Sequence, residues 1–497
     1  MPGMTRSAVG VAFSAAVSLL LLAGSASADQ VSRTVAKVDA PRAQLARAST
    51  SAVPGGGSIR HYQQKVSGLP VFNAQAVVVL TPGDGASIIS DTTSDRGSWA
   101  GDSATLSASD AIAAARASAG AKKLRAKPHA KLGYAKSGTL AWEVSMPSAK
   151  PLADFVITVD AHSGKVLRSQ DILKYATGTA LIYNPNPVVE QNGYSGLKDK
   201  NDKDYPLLTN LRVPVTLENI IDNAKGCLKG TLVEARVGPQ GKKVCAPGYD
   251  FTSVTRSDDD FEALMAYFHI DRERTYADSL GLSQPLRNKA QKVFADAIPD
   301  DNSFYSSQTQ QLVLGTGGVD DGEDADVISH EYGHSLQDQA APQSLRKREG
   351  GTIGEGFGDY MAATMSDLTT GPSPWDTCIF DWDGIAYSPT GTCGRKADVT
   401  QNLTTAEHKC QKEIHCVGQV VSSTLFALRE QLSNDVNGQS IMDRDILEAN
   451  FMNSKGTTFK SFAKSILAAD QLLYAGANIP TIEAAFIQRK FCPAKGC

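Results

Sequence analysis

The stretch Asp326-Val327-Ile328-Ser329-His330-Glu331-Tyr332-Gly333-His334-Ser335 constrains this chain more than any other. It contains the pattern H-E-x-x-H. On an α-helix, residues four apart share a face and lie about 6 Å apart along the axis. His330 and His334 so placed present two imidazoles to one divalent ion, and Glu331 reaches a water on that ion. The spacing predicts a helix here with a metal against one side of it. Two imidazoles leave such a metal open, so the rest of the chain has to supply a further donor.

The chain has 497 residues, room for two or three domains, and its 41% hydrophobic and 21% charged residues are globular values. No nucleic-acid partner is expected. Residues 1–28 read as a secretory leader. Arg6 is the positive start, residues 9–23 are an apolar run with Leu19-Leu20-Leu21-Leu22, and Ala26-Ser27-Ala28 is a small-residue cleavage site. That run is short of the ~20 residues of a spanning helix, and no later segment is long and apolar enough. The expectation is a secreted, extracellular chain with no membrane partner once the leader is removed. Its eight cysteines are even in number and all lie beyond residue 226. Export favours disulfides, and close spacing favours Cys227–Cys245, Cys378–Cys393, Cys410–Cys416 and Cys492–Cys497, although spacing alone does not determine connectivity. No C-x-x-C occurs, which argues against a cysteine metal site.

Charge divides the chain. Residues 29–174 carry 18 Lys+Arg and 11 Asp+Glu, while residues 175–497 carry 30 and 42. A basic front and an acidic back favour docking of one on the other; unrelated drift in composition is the plainer alternative. Residues 29–57 are rich in Ala, Ser and Arg, end in Pro54-Gly55-Gly56-Gly57, and read as a flexible lead-in. Residues 59–80 read as two strands around Gly68. Residues 107–119 are an Ala-rich helix capped by Ser107 or Ser109. Residues 141–144 and 155–160 read as strands, with Asp160-Ala161-His162-Ser163-Gly164-Lys165-Val166 a hairpin turn. His61, His129 and His162 lack metal-ligand spacing and are read as surface or packing residues.

Two motifs in this front carry a resemblance. H-Y-Q-Q-x-x-x-G-L-P-V-F, from His61, resembles the first module of fungalysin and thermolysin propeptides. Residues 107–173, with V-D-A-x-S-G-K-V-L, resemble the second, PepSY-like module. The resemblance implies that residues 58–104 and 105–174 are a propeptide that assists folding, blocks the protease site and is cut away near residues 174–176.

The second part starts β-rich at Thr177-Gly178-Thr179-Ala180-Leu181-Ile182-Tyr183, and residues 184–253 carry short strands and turns. Residues 258–280 have helical periodicity, with His269 satisfied in packing. Asp301-Asn302-Ser303-Phe304-Tyr305 and the strand from Gln311 resemble the thermolysin pattern N-A-F-W and its following strand. That resemblance implies that Asn302 and Ser303 lie on an edge strand and bond the substrate backbone; on their residues alone they are an ordinary turn. Asp320, Asp321, Glu323, Asp324 and Asp326 favour the dipole of the helix they precede. The thermolysin resemblance adds a second reading, a calcium site that takes Asp326.

The missing donor is sought in Gly354-Glu355-Gly356-Phe357-Gly358-Asp359. Glu355 completes a His2Glu set with one open position, as catalytic zinc requires. Asp359, one helical turn on, accepts the free N–H of a ligand histidine. Glu349 competes but sits in the loop Lys347-Arg348-Glu349-Gly350-Gly351, ahead of the second helix that Gly354 starts. G-E-G-x-x-D after H-E-x-x-H resembles the second motif of fungalysin. Gln337 and Ala340 stand where a metzincin has Gly and His, and Ile353 where the common aminopeptidase spacing places Glu. This leaves the thermolysin-like, or gluzincin, group. Glu413-Ile414-His415-Cys416-Val417-Gly418 reads as a histidine before a helix and resembles the fungalysin stretch V-H-x-x-G-x-V-W-A. The resemblance implies that His415 bonds the tetrahedral intermediate, with His408 the runner-up. It also implies a substrate-carbonyl role for Arg395, which by itself reads equally well as a surface residue. The family's oxyanion Tyr has no assignable counterpart. Residues 420–432, 440–452, 458–475 and 481–489 are helical by periodicity.

The expected fold is α+β: a two-lobed thermolysin-like catalytic domain, residues 175–325 β-rich and 326–497 helical, with zinc on the helix between. The expected function is a monomeric, secreted zinc endopeptidase acting on proteins and peptides, made as a precursor inhibited by its own propeptide. The alternatives are an aminopeptidase on the same scaffold and a non-catalytic binding or inhibitor protein with a relic zinc site.

Overall fold

The computed structural model describes residues 28–53, 57–81, 85–173, 175–222, 225–287, 289–387, 391–432 and 434–497. Apart from Ala28, the leader reading lies outside these residues, as do Pro54-Gly55-Gly56 and Lys174 of the expected linker and cleavage segments. The chain forms two compact units, Met1–Leu173 and Lys174–Cys497. It is a mixed α+β structure.

The first unit is built on a nine-stranded sheet. Its strands are β1 (Leu45–Val53), β2 (Gly57–Val66), β3 (Leu69–Thr81), β4 (Gly85–Asp91), β5 (Lys123–Leu124), β6 (His129–Tyr134), β7 (Leu140–Lys150), β8 (Leu152–Asp160) and β9 (Val166–Asp171). The β2–β3 loop is two residues, Ser67 and Gly68, both at positive φ, the geometry that matches strand twist in a tight hairpin. Helix α2 (Ala108–Ser118) starts in a capping box: Ser107 accepts from Asp110 N, and the Asp110 side chain accepts from Ser107 N. Its buried face is Ala111 and Ala115, small enough to lie close on Val144, Met146, Ile157 and Val159.

Residues 29–53 depart from expectation. They form helix α1 (Ala28–Val35) and strand β1, which pairs with β2 from Leu45 to Val53. Val31, Val35 and Val38 are buried against Tyr62, Ala76 and Val78. Three buried valines and a strand edge to pair with outweigh the polar, small-residue composition.

The second unit opens with a β-ribbon, β10 (Ala176–Ile182) and β11 (Val213–Ile220), around the short helices α3 (Pro187–Gln191) and α4 (Pro206–Asn210). A five-stranded sheet follows, in the order β13 (Lys242–Lys243), β12 (Val233–Val237), β14 (Gln291–Ile298), β16 (Gln311–Gly315), β15 (Phe304–Ser306). β12, β14 and β16 are parallel; β15 is an antiparallel edge. Helix α5 (Asp260–Ser279) is buried along most of its length. Its His269 Nε2 lies 3.1 Å from Tyr183 O, and burial lowers the imidazole to about 3, a neutral packing histidine.

The remaining elements are helical apart from a small ribbon. They are α6 (Ala325–Ala340), α7 (Arg348–Thr370), β17 (Cys378–Ile379), β18 (Arg395–Lys396), α8 (Leu403–Lys409), α9 (Ile414–Gln431), α10 (Ile441–Asn450), α11 (Phe459–Tyr474) and α12 (Ile479–Gln488). Ile328, Tyr332 and Leu336 of α6 and Ile353, Phe357 and Tyr360 of α7 belong to one core with Val417, Val421 and Leu425 of α9. Disulfides Cys227–Cys245, Cys378–Cys393, Cys410–Cys416 and Cys492–Cys497 all lie in this unit. Among the described residues no helix is long and apolar enough to cross a membrane.

Candidate metal centre

Helix α6 starts at Asp324, whose side chain accepts from Asp326 N, with further acids ahead of the first turn. His330 and His334 face α7 from its middle. Glycine sets the separation of the two helices. A β-carbon at Gly333 would meet Gly358 Cα at 3.1 Å, and one at Gly358 would meet His330 Nδ1 at 2.6 Å. With only hydrogens there, the backbones approach closely enough for side chains of both helices to reach one point. A like approach joins α7 to α9, where a β-carbon at Gly418 would meet Glu355 Cβ at 3.0 Å.

Three donors converge. One ligand atom each from His330, His334 and Glu355 lies within 4.8 Å of the other two. His330 Nε2 is 3.4 Å from Glu355 Oε2, and His334 Nε2 is 3.6 Å from Glu355 Oε1. Asp359, fully buried, holds the other side of the His330 ring: Nδ1–H donates to Oδ1 at 2.9 Å. That bond leaves His330 Nε2 facing the cluster. Burial and Arg395 work against a charge on His330, but Asp359 and Glu355 more than reverse this and raise it to about 9. Burial lowers His334. Burial would raise Glu355, yet the two imidazoles and Arg395 hold it far below the usual carboxylate range. The set is two nitrogens and one ionised carboxylate, the donor chemistry of an open zinc site.

Helix α7 begins at Arg348, earlier than Gly354. Glu349 therefore lies in its first turn, where Oε2 accepts from Phe459 N at 2.8 Å and caps α11. It is turned away from the histidines that Glu355 meets.

Glu331 is 7% exposed, and its Oε2 has no hydrogen-bond partner. It lines a cavity of about 330 Å³ together with Asn302, Ser303 and Arg395. Asn302 and Ser303 stand in the turn before β15 rather than on the strand itself. The Ser303 hydroxyl donates to Asp321 and accepts from Gly315 N at 3.3 Å, so it ties this segment to the end of β16 and to the acidic run ahead of α6. Arg395 lies in β18, with Nη1 donating to Glu355 Oε2 at 3.2 Å and Asp359 Oδ1 at 2.9 Å, and its guanidinium over the Phe380 ring. It is thus part of the centre and not a free surface residue.

His415 lies inside the first turn of α9 rather than before the helix. Glu413 is the N-cap, accepting from His415 N at 3.0 Å and Cys416 N at 2.8 Å. The same carboxylate accepts from His415 Nδ1 at 2.6 Å, while Nε2 lies 3.2 Å from Glu355 Oε2. The ring is half exposed and reaches the donor set across the open side. Disulfide Cys410–Cys416 ties this turn to the end of α8. Sequence reasoning missed Glu413. Its signal was an acid two residues ahead of the histidine at a helix start.

Asp326 joins a second cluster: oxygens of Asp324, Asp326 and Asp381 lie within 4.8 Å of one another, all buried. Asp326 Oδ2 accepts from Phe380 N at 3.0 Å, and Asp324 Oδ2 from Trp382 N at 3.0 Å. Asp381 Oδ2 has no partner. Burial raises all three carboxyls, and neighbouring aspartates add to this for Asp326 and Asp381.

Residues 306–493 match the model of the fungalysin metallopeptidase family, M36. The match holds both histidines, Glu331, Glu355, Asp359, Arg395 and His415. A stretch of 200 residues is 28% identical to extracellular metalloproteinase 1 of Phaeosphaeria nodorum, covering 35% of this chain and 31% of that protein. The chain thus matches about a third of the length of that curated relative. The part that carries the two ligand helices and α9 is thus similar to the fungalysin metallopeptidases.

Proposed function

We propose that this chain is a secreted zinc endopeptidase, made as a precursor whose first unit is its propeptide. The observation that carries the reading is the convergence of His330, His334 and Glu355 beside an unpartnered Glu331. These three side chains would hold the metal. When bound, zinc supplies Lewis acidity that polarises a peptide carbonyl and makes a water acidic. Glu331 would take a proton from the attacking water and pass it to the leaving amine. His415, with Nδ1–H held by Glu413, offers Nε2–H to the developing oxyanion when the ring is protonated, a contribution of a few kcal/mol for a fixed donor. Asp359 keeps His330 in the tautomer that ligation needs, and Arg395 balances the charge of Asp359 and Glu355.

The two-lobed reading is supported by sheets ahead of residue 325 and helices beyond it. The propeptide reading is supported by the basic composition of the first unit and by the confinement of all eight cysteines to the second. Asp324, Asp326 and Asp381, with an orphaned oxygen, fit a calcium ion, a hard cation that takes oxygen donors. The protein is expected to act as a monomer on protein substrates outside the cell.

The test is incubation of the purified chain with casein, with and without a chelator, while its new N-terminus is mapped. The reading expects a cut near residues 174–176, then casein cleavage that the chelator abolishes. Release of single N-terminal residues only would favour an aminopeptidase, and chelator-insensitive cleavage would refute the metal mechanism.

A further inference from the structure

The cavity on the Glu331 side of the centre is acidic. Asp301, Asp321 and Asp383 all line it, and one oxygen of each lies within 4.8 Å of the other two. They come from separate segments: the turn before β15, the acidic run ahead of α6, and the turn after β17. Asp301 Oδ1 accepts from the Tyr387 hydroxyl at 2.9 Å, and Asp321 Oδ2 accepts from Ser303. Asp383 is 6% exposed, and its Oδ1 has no hydrogen-bond partner. Arg395 also lines the cavity, but its Nη1 is engaged by Glu355 and Asp359. Three carboxylates, one of them buried and unanswered, face a space roomy enough for a long side chain.

We infer that this cavity receives the substrate residue that follows the cleaved bond, and that it selects a cationic side chain, lysine or arginine. The inference rests on the reading above, in which Glu331 hands its proton to the leaving nitrogen. The residue that owns that nitrogen therefore enters beside Glu331, against Asp301, Asp321 and Asp383. An ammonium or guanidinium there forms charge-assisted hydrogen bonds with carboxylates that otherwise repel one another. A neutral side chain leaves Asp383 buried and unpaired, which is the costly outcome. The cavity on the opposite side, lined by Tyr305, His334, Gln337 and Glu355, lacks such a cluster; its Asp338 already accepts from Tyr305 and Gln343.

The test uses the matured protein and four peptides that differ only after the cleaved bond: lysine, arginine, acetyl-lysine and leucine. Lysine and arginine should exceed acetyl-lysine by about tenfold or more in kcat/KM, and Asp383→Asn should close most of that gap. Equal rates for all four, or a preference for leucine, would overturn the inference while leaving a zinc peptidase in place. Should Asp383→Asn fail to fold, the wild-type comparison decides alone. Calcium is titrated in parallel. Loss of the lysine preference as calcium rises, reversed by excess lysine peptide, supports a shared cationic subsite. Calcium held at these aspartates and not displaced by the lysine peptide would overturn it. If no peptide is cut in a chelator-sensitive way, the underlying peptidase reading falls instead.

Discussion

Gly358 of α7 lies against the imidazole of His330, so closely that a β-carbon would meet Nδ1 at 2.6 Å. Nδ1 is also the atom held by Asp359 at 2.9 Å. The distance between α6 and α7 and the orientation of a ligand ring are therefore set at one position. Gly358→Ala would have to move the ring, the helix or both. It should lower metal affinity at least tenfold and cost about 1–3 kcal/mol of stability as an overpacked contact. Metal titration and thermal unfolding check this; wild-type affinity in the variant would mean the helices are free to separate.

Glu331 has a different task from the ligands. Glu331→Gln keeps the shape but removes the base, so bound zinc should be unchanged while kcat falls by about 10²–10⁴. Parallel metal analysis and peptide hydrolysis read the two effects separately. Loss of metal in this variant would place Glu331 among the ligands.

His415 and Glu413 act as a pair. His415→Phe should reduce kcat by about 10²–10³ with little change in zinc content. Glu413→Gln should give a smaller loss, because it weakens both the ring's anchor and the cap of α9. If both variants turn over at the wild-type rate, the oxyanion is held elsewhere.

How far these groups could be read from the sequence depended on how local their partners are. The His330–His334 pair needs only helical spacing within α6, and the Glu355–Asp359 spacing repeats that geometry in α7. The hairpin at Ser67-Gly68 and the cap at Ser107 are likewise set by neighbours in sequence. The Ala, Ser and Arg composition of residues 29–57 and the Pro-Gly run at their end read as a flexible lead-in; the order of β1 comes from pairing with β2. The acidic run before α6 was legible as dipole-favouring charge. That Asp321 joins Asp301 and Asp383 in one cavity depends on tertiary contacts across more than 80 residues of chain. The partners of the Ser303 hydroxyl, Asp321 and Gly315, likewise lie 12 or more residues away and are not legible in its own segment.

Stability should also carry a pH signature remote from the metal. Asp445 of α10 is fully buried, and burial together with Asp470 pushes its carboxyl up to about 8. The folded pKa lies above the unfolded value near 3.9, so the native state holds the extra proton between about pH 4 and 8. Stability from this group is full below that window and is lost as pH rises through it. Asp445→Asn removes the titration at nearly the same side-chain shape. The variant should be more stable than wild type at pH 9, by an amount on the order of several kcal/mol, with the gap closing toward pH 4. Denaturant midpoints at fixed metal concentration check this; a gap independent of pH would rule out Asp445 as the titrating group.

The most direct test of the account is the zinc bound per chain in purified wild-type protein and in Glu355→Ala, each shown to be folded by circular dichroism. The account predicts one tightly held zinc in the wild type and a loss of most of it in the variant, because His330 and His334 alone leave the site two donors short of closure. Equal zinc in both proteins would contradict the assignment of Glu355, and with it the centre proposed between α6 and α7.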